Sequence, residues 1–195
     1  MKTILFLLLS LSVGVANATI ITTGSVTNTG STYTISNGSS AVNDSTIELF
    51  GSLAAGSLDG ISTGNATEGA AITATFDLFD SDTLSFDWIW NSAEGNNQGT
   101  FNDFSFVSFS LLGSESPELL ADTFTADGTQ DTYSWLVDTS GTYVLTIGVL
   151  DVSDTIMNST LGVSNIAIDV PEPASLALLG FGLIGLGLSR RRKTH

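Results

Sequence analysis

The chain has 195 residues, with 20 acidic and 5 basic side chains and a formal net charge of −15 at pH 7. The basic residues are Lys2 and the cluster at 190–193, so no lysine, arginine, histidine or cysteine occurs between Thr3 and Ser189. We therefore expect this body to bind no nucleic acid, and it has no Ser-His-Asp or Cys-His group, no zinc ligand of the usual kind and no disulfide.

Residues 1–18 have the order of a Sec signal peptide. Lys2 supplies a positive charge, an apolar run follows over residues 4–15, and Ala16-Asn17-Ala18 has the small-residue pattern of a cleavage site. The apolar run is too short to span a bilayer. The pattern predicts export through the Sec translocon, with cleavage after Ala18.

Residues 19–169 form the predicted extracellular domain, and they show the period of two that is typical of strands. Apolar and polar residues alternate most clearly over 84–90, 133–137 and 143–149. The shorter strand candidates are 19–21, 33–35, 46–50, 71–79 and 164–170.

Between Phe104 and Leu111 the alternation slips by one position, which predicts either a bulge or a strand buried on both faces. Turn pairs such as Asn37-Gly38 and Asp127-Gly128 separate the candidate strands. The predicted fold class is all-β, an antiparallel β-sandwich of jelly-roll-like type. A signal peptide and a short C-terminal transmembrane helix are expected to flank it.

The C-terminal segment, residues 170–195, has three parts. Val170, Pro171, Glu172 and Pro173 come first, and an uncharged apolar run follows as a predicted transmembrane helix over about 174–188. At 1.5 Å per residue this helix is about 22 Å long, shorter than the ~30 Å hydrocarbon core. The positive-inside rule keeps the basic tail in the cytoplasm; its residues are Arg190, Arg191, Arg192 and Lys193.

This order resembles the PEP-CTERM sorting domain. The resemblance implies processing near the Pro-Glu-Pro residues by an exosortase, from an inner-membrane-anchored precursor of a Gram-negative bacterium that makes exopolysaccharide. The product is expected at the cell surface or in the extracellular matrix. The body more loosely resembles choice-of-anchor surface β domains, through Asn102-Asp103-Phe104 and the acidic segment that begins at Asp151.

Calcium is the cofactor that the acidic body is suited to bind, because Ca²⁺ takes roughly six to eight oxygen ligands. No segment matches an EF-hand loop. The alternative is that these acids cap turns through bonds to their own backbone. The candidate ligand sets are Glu94, Asn102 and Asp103; Asp151, Asp154 and Asn158; and Asp77, Asp80 and Asp82.

Trp90, beside a polar loop, is the candidate for stacking on a sugar, although alternating aromatic residues also form cores. The predicted function is non-enzymatic: a structural or adhesive surface protein associated with exopolysaccharide. One alternative is a carbohydrate-binding module with a defined glycan ligand. Another is a glycosidase with two catalytic carboxylates, but no acid stands out from the sequence for that role.

Overall fold

A computed structural model describes residues 18–94, 101–111, 116–153, 157–171 and 180–183. Eleven strands and a short helix occur in these ranges up to Asp169. In chain order they are β1 (Ile21–Thr23), β2 (Ser25–Thr29), β3 (Thr32–Ser36), β4 (Val42–Asn43), α1 (Asp44–Phe50), β5 (Ala66–Leu78), β6 (Thr83–Ser92), β7 (Phe104–Leu111), β8 (Glu118–Asp122), β9 (Thr129–Leu136), β10 (Gly141–Val152) and β11 (Ser159–Asp169).

The strands form two antiparallel sheets. The first has the order β1-β5-β10-β7-β8, and β4 also pairs with β5. The second has the order β2-β3-β11-β6-β9. Strands that follow one another in the chain, such as β5 and β6, lie in different sheets. The chain therefore crosses between the two sheets several times.

The main core lies between the two sheets. Residues Ile72 and Leu145 of the first sheet share one buried cluster with Phe86 and Leu161 of the second. This arrangement confirms the prediction of two packed antiparallel sheets, because period-two strands bury one face each against the opposite sheet.

Strand β7 explains the slipped alternation in the sequence. Its pairing with β10 is unbroken from Tyr143↔Leu111 to Leu150↔Phe104, and its residues through Ser110 are buried. Val107 and Phe109 face the main core, while Phe104 and Phe106 pack into a second cluster with Ile47 of α1. Of the two predicted explanations, burial of β7 on both faces is therefore correct. The ladder between β7 and β10 contains no bulge, and a register shift occurs only in the ladder between β7 and β8.

The predicted strand at 46–50 is wrong, because α1 (Asp44–Phe50) occupies that position. Ile47 is fully buried in the second cluster, and the carboxylate of Glu48 accepts bonds from the backbone N–H groups of Gly56 and Leu58. The helix thus covers the outer face of the first sheet and is hydrogen-bonded to the loop that follows it.

The flanking segments fall mostly outside the described residues. These include residues 1–17 of the predicted signal peptide and most of the predicted transmembrane helix; residues 180–183 are helical. Within the part of the chain that is described, no helix is long and apolar enough to cross a membrane.

Candidate functional site

Asp103 and Asp151 form a buried pair of carboxylates. Asp103 directly precedes β7 and Asp151 lies near the end of β10, and both side chains are fully buried. Asn37, in the turn after β3, donates from Nδ2 to Asp103 Oδ2 at 2.7 Å and also to Asp151 Oδ1. One amide group therefore joins the two carboxylates.

Two serines extend this network. Ser159, the first residue of β11, donates its hydroxyl to Asp103 Oδ2 at 2.7 Å, and its backbone N–H donates to Asn37 Oδ1 at 2.7 Å. The hydroxyl of Ser92 lies 2.9 Å from that of Ser159. Because Asn37 Oδ1 accepts a backbone hydrogen, its Nδ2 must face the carboxylates.

The electrostatics of the pair follow from its burial in a body without basic residues. Burial raises the pKa of Asp103, and the hydrogen bonds from Ser159 and Asn37 offset part of that rise. Asp103 also interacts directly with Asp151. A proton held between the two acids is the simplest way to avoid two buried negative charges.

Asn102 lies in a separate network, although it is adjacent to Asp103 in sequence. Its Nδ2 donates to the hydroxyl of Thr63 at 3.1 Å and to Asp122 Oδ2 at 3.3 Å, and its Oδ1 accepts the backbone N–H of Thr123. These bonds connect the segment before β7 to the end of β8, so Asn102 does not join the acid pair.

The other predicted calcium ligands of the first two sets differ in burial where the structure describes them. Glu94 is buried and its backbone N–H donates to Ser92 Oγ at 3.2 Å; Asn158 is exposed; Asp154 lies outside the described residues. Within the described ranges, no three His, Cys, Asp or Glu side chains are grouped so as to hold a metal ion. Calcium binding stays a prediction.

The third predicted set serves the backbone and the strand surface. Asp82 Oδ2 accepts the backbone N–H of Phe79 at 2.9 Å, which closes the β5–β6 turn. Asp77 Oδ1 accepts the hydroxyl of Thr142 on the neighbouring strand at 2.7 Å. At Asp80 the backbone N–H donates to Ser140 Oγ. The contact of Asp82 matches the turn-capping alternative. The carboxylate of Asp77 instead bonds to a side chain across the strand pair, and the contact of Asp80 is made by its backbone.

The prediction that Trp90 stacks on a sugar is wrong, because its side chain is fully buried in the main core. Trp90 shares the inward phase of β6 with Leu84 and Phe86. Its neighbours Ile89 and Asn91 face outward instead. The sequence placed Trp90 next to a loop, but strand parity decides which side chains reach the surface.

A groove of about 490 Å³ lies on the outer face of the second sheet. Most of its lining residues belong to outward positions on β3, β11, β6 and β9. The volume falls within the ~300–1,000 Å³ that is usual for ligand sites. The groove is lined by Thr32, Asp87, Trp88, Ile89, Gln130, Asp131, Thr132, Gly162 and Ser164.

Gly162 and Ile89 pair across β11 and β6 at the floor of this groove. A Cβ at Gly162 would lie 2.7 Å from Ile89 Cγ2, so the glycine lets the isoleucine lie across β11. Ile89 keeps 38% of its surface exposed. The groove therefore combines an apolar patch with surrounding hydroxyl, amide and carboxylate groups.

Asp87 is held in a fixed orientation beside that patch. Its Oδ1 accepts the hydroxyl of Thr132 at 2.6 Å, and its Oδ2 accepts Nδ2 of Asn165 at 2.7 Å. These two bonds, that of Asn165 foremost, hold the pKa of Asp87 below its ordinary value. Asn165 has a positive φ of 54° at a register shift in β11, and this bulge aims its side chain at Asp87.

Sequence reasoning missed Asn37, Ser159 and the whole groove. Asn37 was interpreted as a turn residue, which it is, but its amide also joins the acid pair. Asp87 had one available signal: it is an acid at an outward position in the most regular strand of the chain.

Residues 169–193 match the family described as the PEP-CTERM protein-sorting motif. The chain carries this sorting motif. The PEP-CTERM motif implies export, processing by an exosortase and sorting to the cell surface. Comparison of the chain with curated proteins finds no match.

The PEP-CTERM motif begins at the last residue of β11. Val170 and Pro171 are exposed and follow Asp169 directly. Glu172, Pro173, Arg190, Arg191, Arg192 and Lys193 lie outside the described residues, as does Ala16; Ala18 is described and packs against the main core. The sorting motif is thus joined to the second sheet without a linker.

Proposed function

We propose that this is a non-enzymatic surface or matrix protein that binds exopolysaccharide through the groove on the outer face of the second sheet. The observation that carries the proposal is the groove itself, where Ile89 lies exposed among Thr32, Gln130, Thr132 and Ser164. An apolar patch with converging hydroxyl and amide groups matches the mixed surface of a sugar ring.

The sorting motif supports a function at the cell surface. It implies delivery to the cell surface, where polysaccharide is the abundant ligand with many hydroxyl groups. The glycosidase alternative draws no support from the acid pair, since Asp103 and Asp151 are fully buried.

The test is affinity electrophoresis of the purified protein in gels that contain exopolysaccharide from the producing cells. Replacing Ile89 by Asn removes the apolar patch while leaving the charge unchanged, and we expect it to weaken binding at least about tenfold, or ~1.4 kcal/mol. Thr75→Asn is the matched control, since Thr75 is exposed on β5 of the first sheet. Equal binding by both variants would contradict the proposal.

A further inference from the structure

The charge of the groove restricts which glycan it can bind. Asp87 and Asp131 both line it, and the chain has no basic residue between Thr3 and Ser189 that could neutralise them. The two side-chain hydrogen bonds to Asp87 come from Thr132 and Asn165, which are neutral groups. The carboxylate thus keeps its negative charge without a counter-charge from its own chain.

The geometry of Asp87 leaves it able to accept further bonds. A carboxylate has about four lone-pair positions, and Thr132 and Asn165 fill one on each oxygen. The same two donors favour the ionised form. A ligand cation in the groove would therefore meet an oriented, charged acceptor, and charge-assisted hydrogen bonds are roughly twice as strong as neutral ones.

We propose that the ligand of the groove is a polysaccharide that carries protonated amino groups, and that Asp87 pairs with one of these ammonium groups. This inference rests on glycan binding at the groove as proposed above. A polyuronate would bring its own carboxylates toward Asp87, Asp131 and the remainder of a body with no positive charge. The groove therefore selects amino sugars over neutral sugars and excludes acidic ones.

Asp77 provides a matched control for Asp87. Both are outward aspartates whose carboxylate accepts the hydroxyl of a threonine directly across the strand pair, Thr142 for Asp77 and Thr132 for Asp87. They lie on different sheets, and only Asp87 lines the groove. Asp77→Asn and Asp87→Asn make the same change in net charge, so they separate local recognition from general attraction to a polycation.

The experiment measures binding of the full purified protein to a glucosamine hexamer, an N-acetylglucosamine hexamer and an oligouronate of equal length, by calorimetry at physiological salt. We expect the glucosamine hexamer to bind at least about tenfold more tightly than the acetylated one, and the oligouronate not to bind. Asp87→Asn removes this preference, and Asp77→Asn keeps it. Circular dichroism melts verify that both variants are folded.

The remaining outcomes separate the two proposals. If both hexosamine hexamers bind equally and Ile89→Asn abolishes that binding, glycan binding at the groove stands and the amino-sugar preference is overturned. Equal losses from Asp87→Asn and Asp77→Asn overturn it as well, since they indicate attraction to net charge. If Asp87→Asn fails to fold, Thr132→Val replaces it: a retained preference with that variant would count against an oriented Asp87. Failure of all three glycans and of cell exopolysaccharide to bind overturns both proposals.

Discussion

Asp103 and Asp151 receive hydrogen bonds from the same amide nitrogen, Nδ2 of Asn37. The three residues come from the segment before β7, from β10 and from the turn after β3, which belongs to the other sheet. The network therefore fastens the two sheets together at one end of the sandwich. Its strength depends on how much charge the two acids carry.

The pair predicts a pH dependence of stability. The pKa of Asp103 is raised from 3.8 in the folded protein, so the folded state retains a proton that the unfolded state releases. The free energy of unfolding contributed by this group must then fall as pH rises from about 3.8 through the folded pKa. We expect Asp103→Asn, which is neutral at every pH, to remove that decline.

The measurement is urea denaturation at several pH values between 4 and 8, with chelator present so that metal plays no part. Asp77→Asn is the control, because it removes a carboxylate exposed on the strand surface. The wild type and this control should show the same slope with pH, steeper than that of Asp103→Asn. Parallel curves for all three proteins would contradict a proton held by the pair.

Calcium binding is the second prediction. A cation that replaces the proton shared by Asp103 and Asp151 would neutralise both buried carboxylates at once, in a body that has no basic side chain to do so. We expect calcium at about 100 times Kd to raise Tm by about 5–10 °C, since it contributes about 2.7 kcal/mol and each kcal/mol shifts Tm by about 2–4 °C at this chain length.

Thermal melts with added calcium and with chelator test this directly. Asp151→Asn should abolish the calcium response, while Asp77→Asn should keep it. A wild-type Tm that is the same in calcium and in chelator would contradict calcium binding by this protein.

The burial of Trp90 gives the third prediction. Trp90→Phe leaves space in the main core, and we expect a loss of about 1–3 kcal/mol of unfolding free energy. The loss is moderated because the indole N–H is buried without a hydrogen-bond acceptor among the described residues, and phenylalanine removes that group. Glycan affinity should stay within about twofold of wild type. A large loss of affinity in a folded Trp90→Phe protein would restore the stacking role.

The sorting motif gives the fourth prediction. Replacing Pro171, Glu172 and Pro173 by alanine should block processing, so the protein accumulates as a precursor in the membrane fraction. Ser175→Ala, two residues after Pro173, is the control and should be processed. Isoelectric focusing gives a sharp readout, because cleavage removes Arg190, Arg191, Arg192 and Lys193 and leaves a more acidic product. Normal processing of the triple variant would contradict the prediction.

The sequence predicted the sheets better than the site. Period-two alternation located β6, β9 and β10, because each turns alternate large side chains toward the main core. It failed at 46–50, where Ile47 packs from a helix onto a second apolar cluster. Seven residues carry too little periodicity to separate a short helix from a short strand.

The candidate site depends on contacts that local pattern does not contain. Asp103 and Asp151 were singled out as acids in suggestive segments, but their partner Asn37 is distant in sequence and looked like an ordinary turn residue. The groove is formed mostly by outward positions on four strands, so its members become neighbours only once the strand order is known. Trp90 was misplaced for the same reason.

The position of β11 has a mechanical consequence. The sorting tail leaves directly from Asp169, and β11 is hydrogen-bonded along one edge to β3 and along the other to β6. Antiparallel ladder bonds run perpendicular to the strands, so tension on the tail shears many of them at once and does not open them one by one. Because the groove includes Ser164 of β11 and Asp87 of β6, force between tail and ligand passes through neighbouring strands of a single sheet.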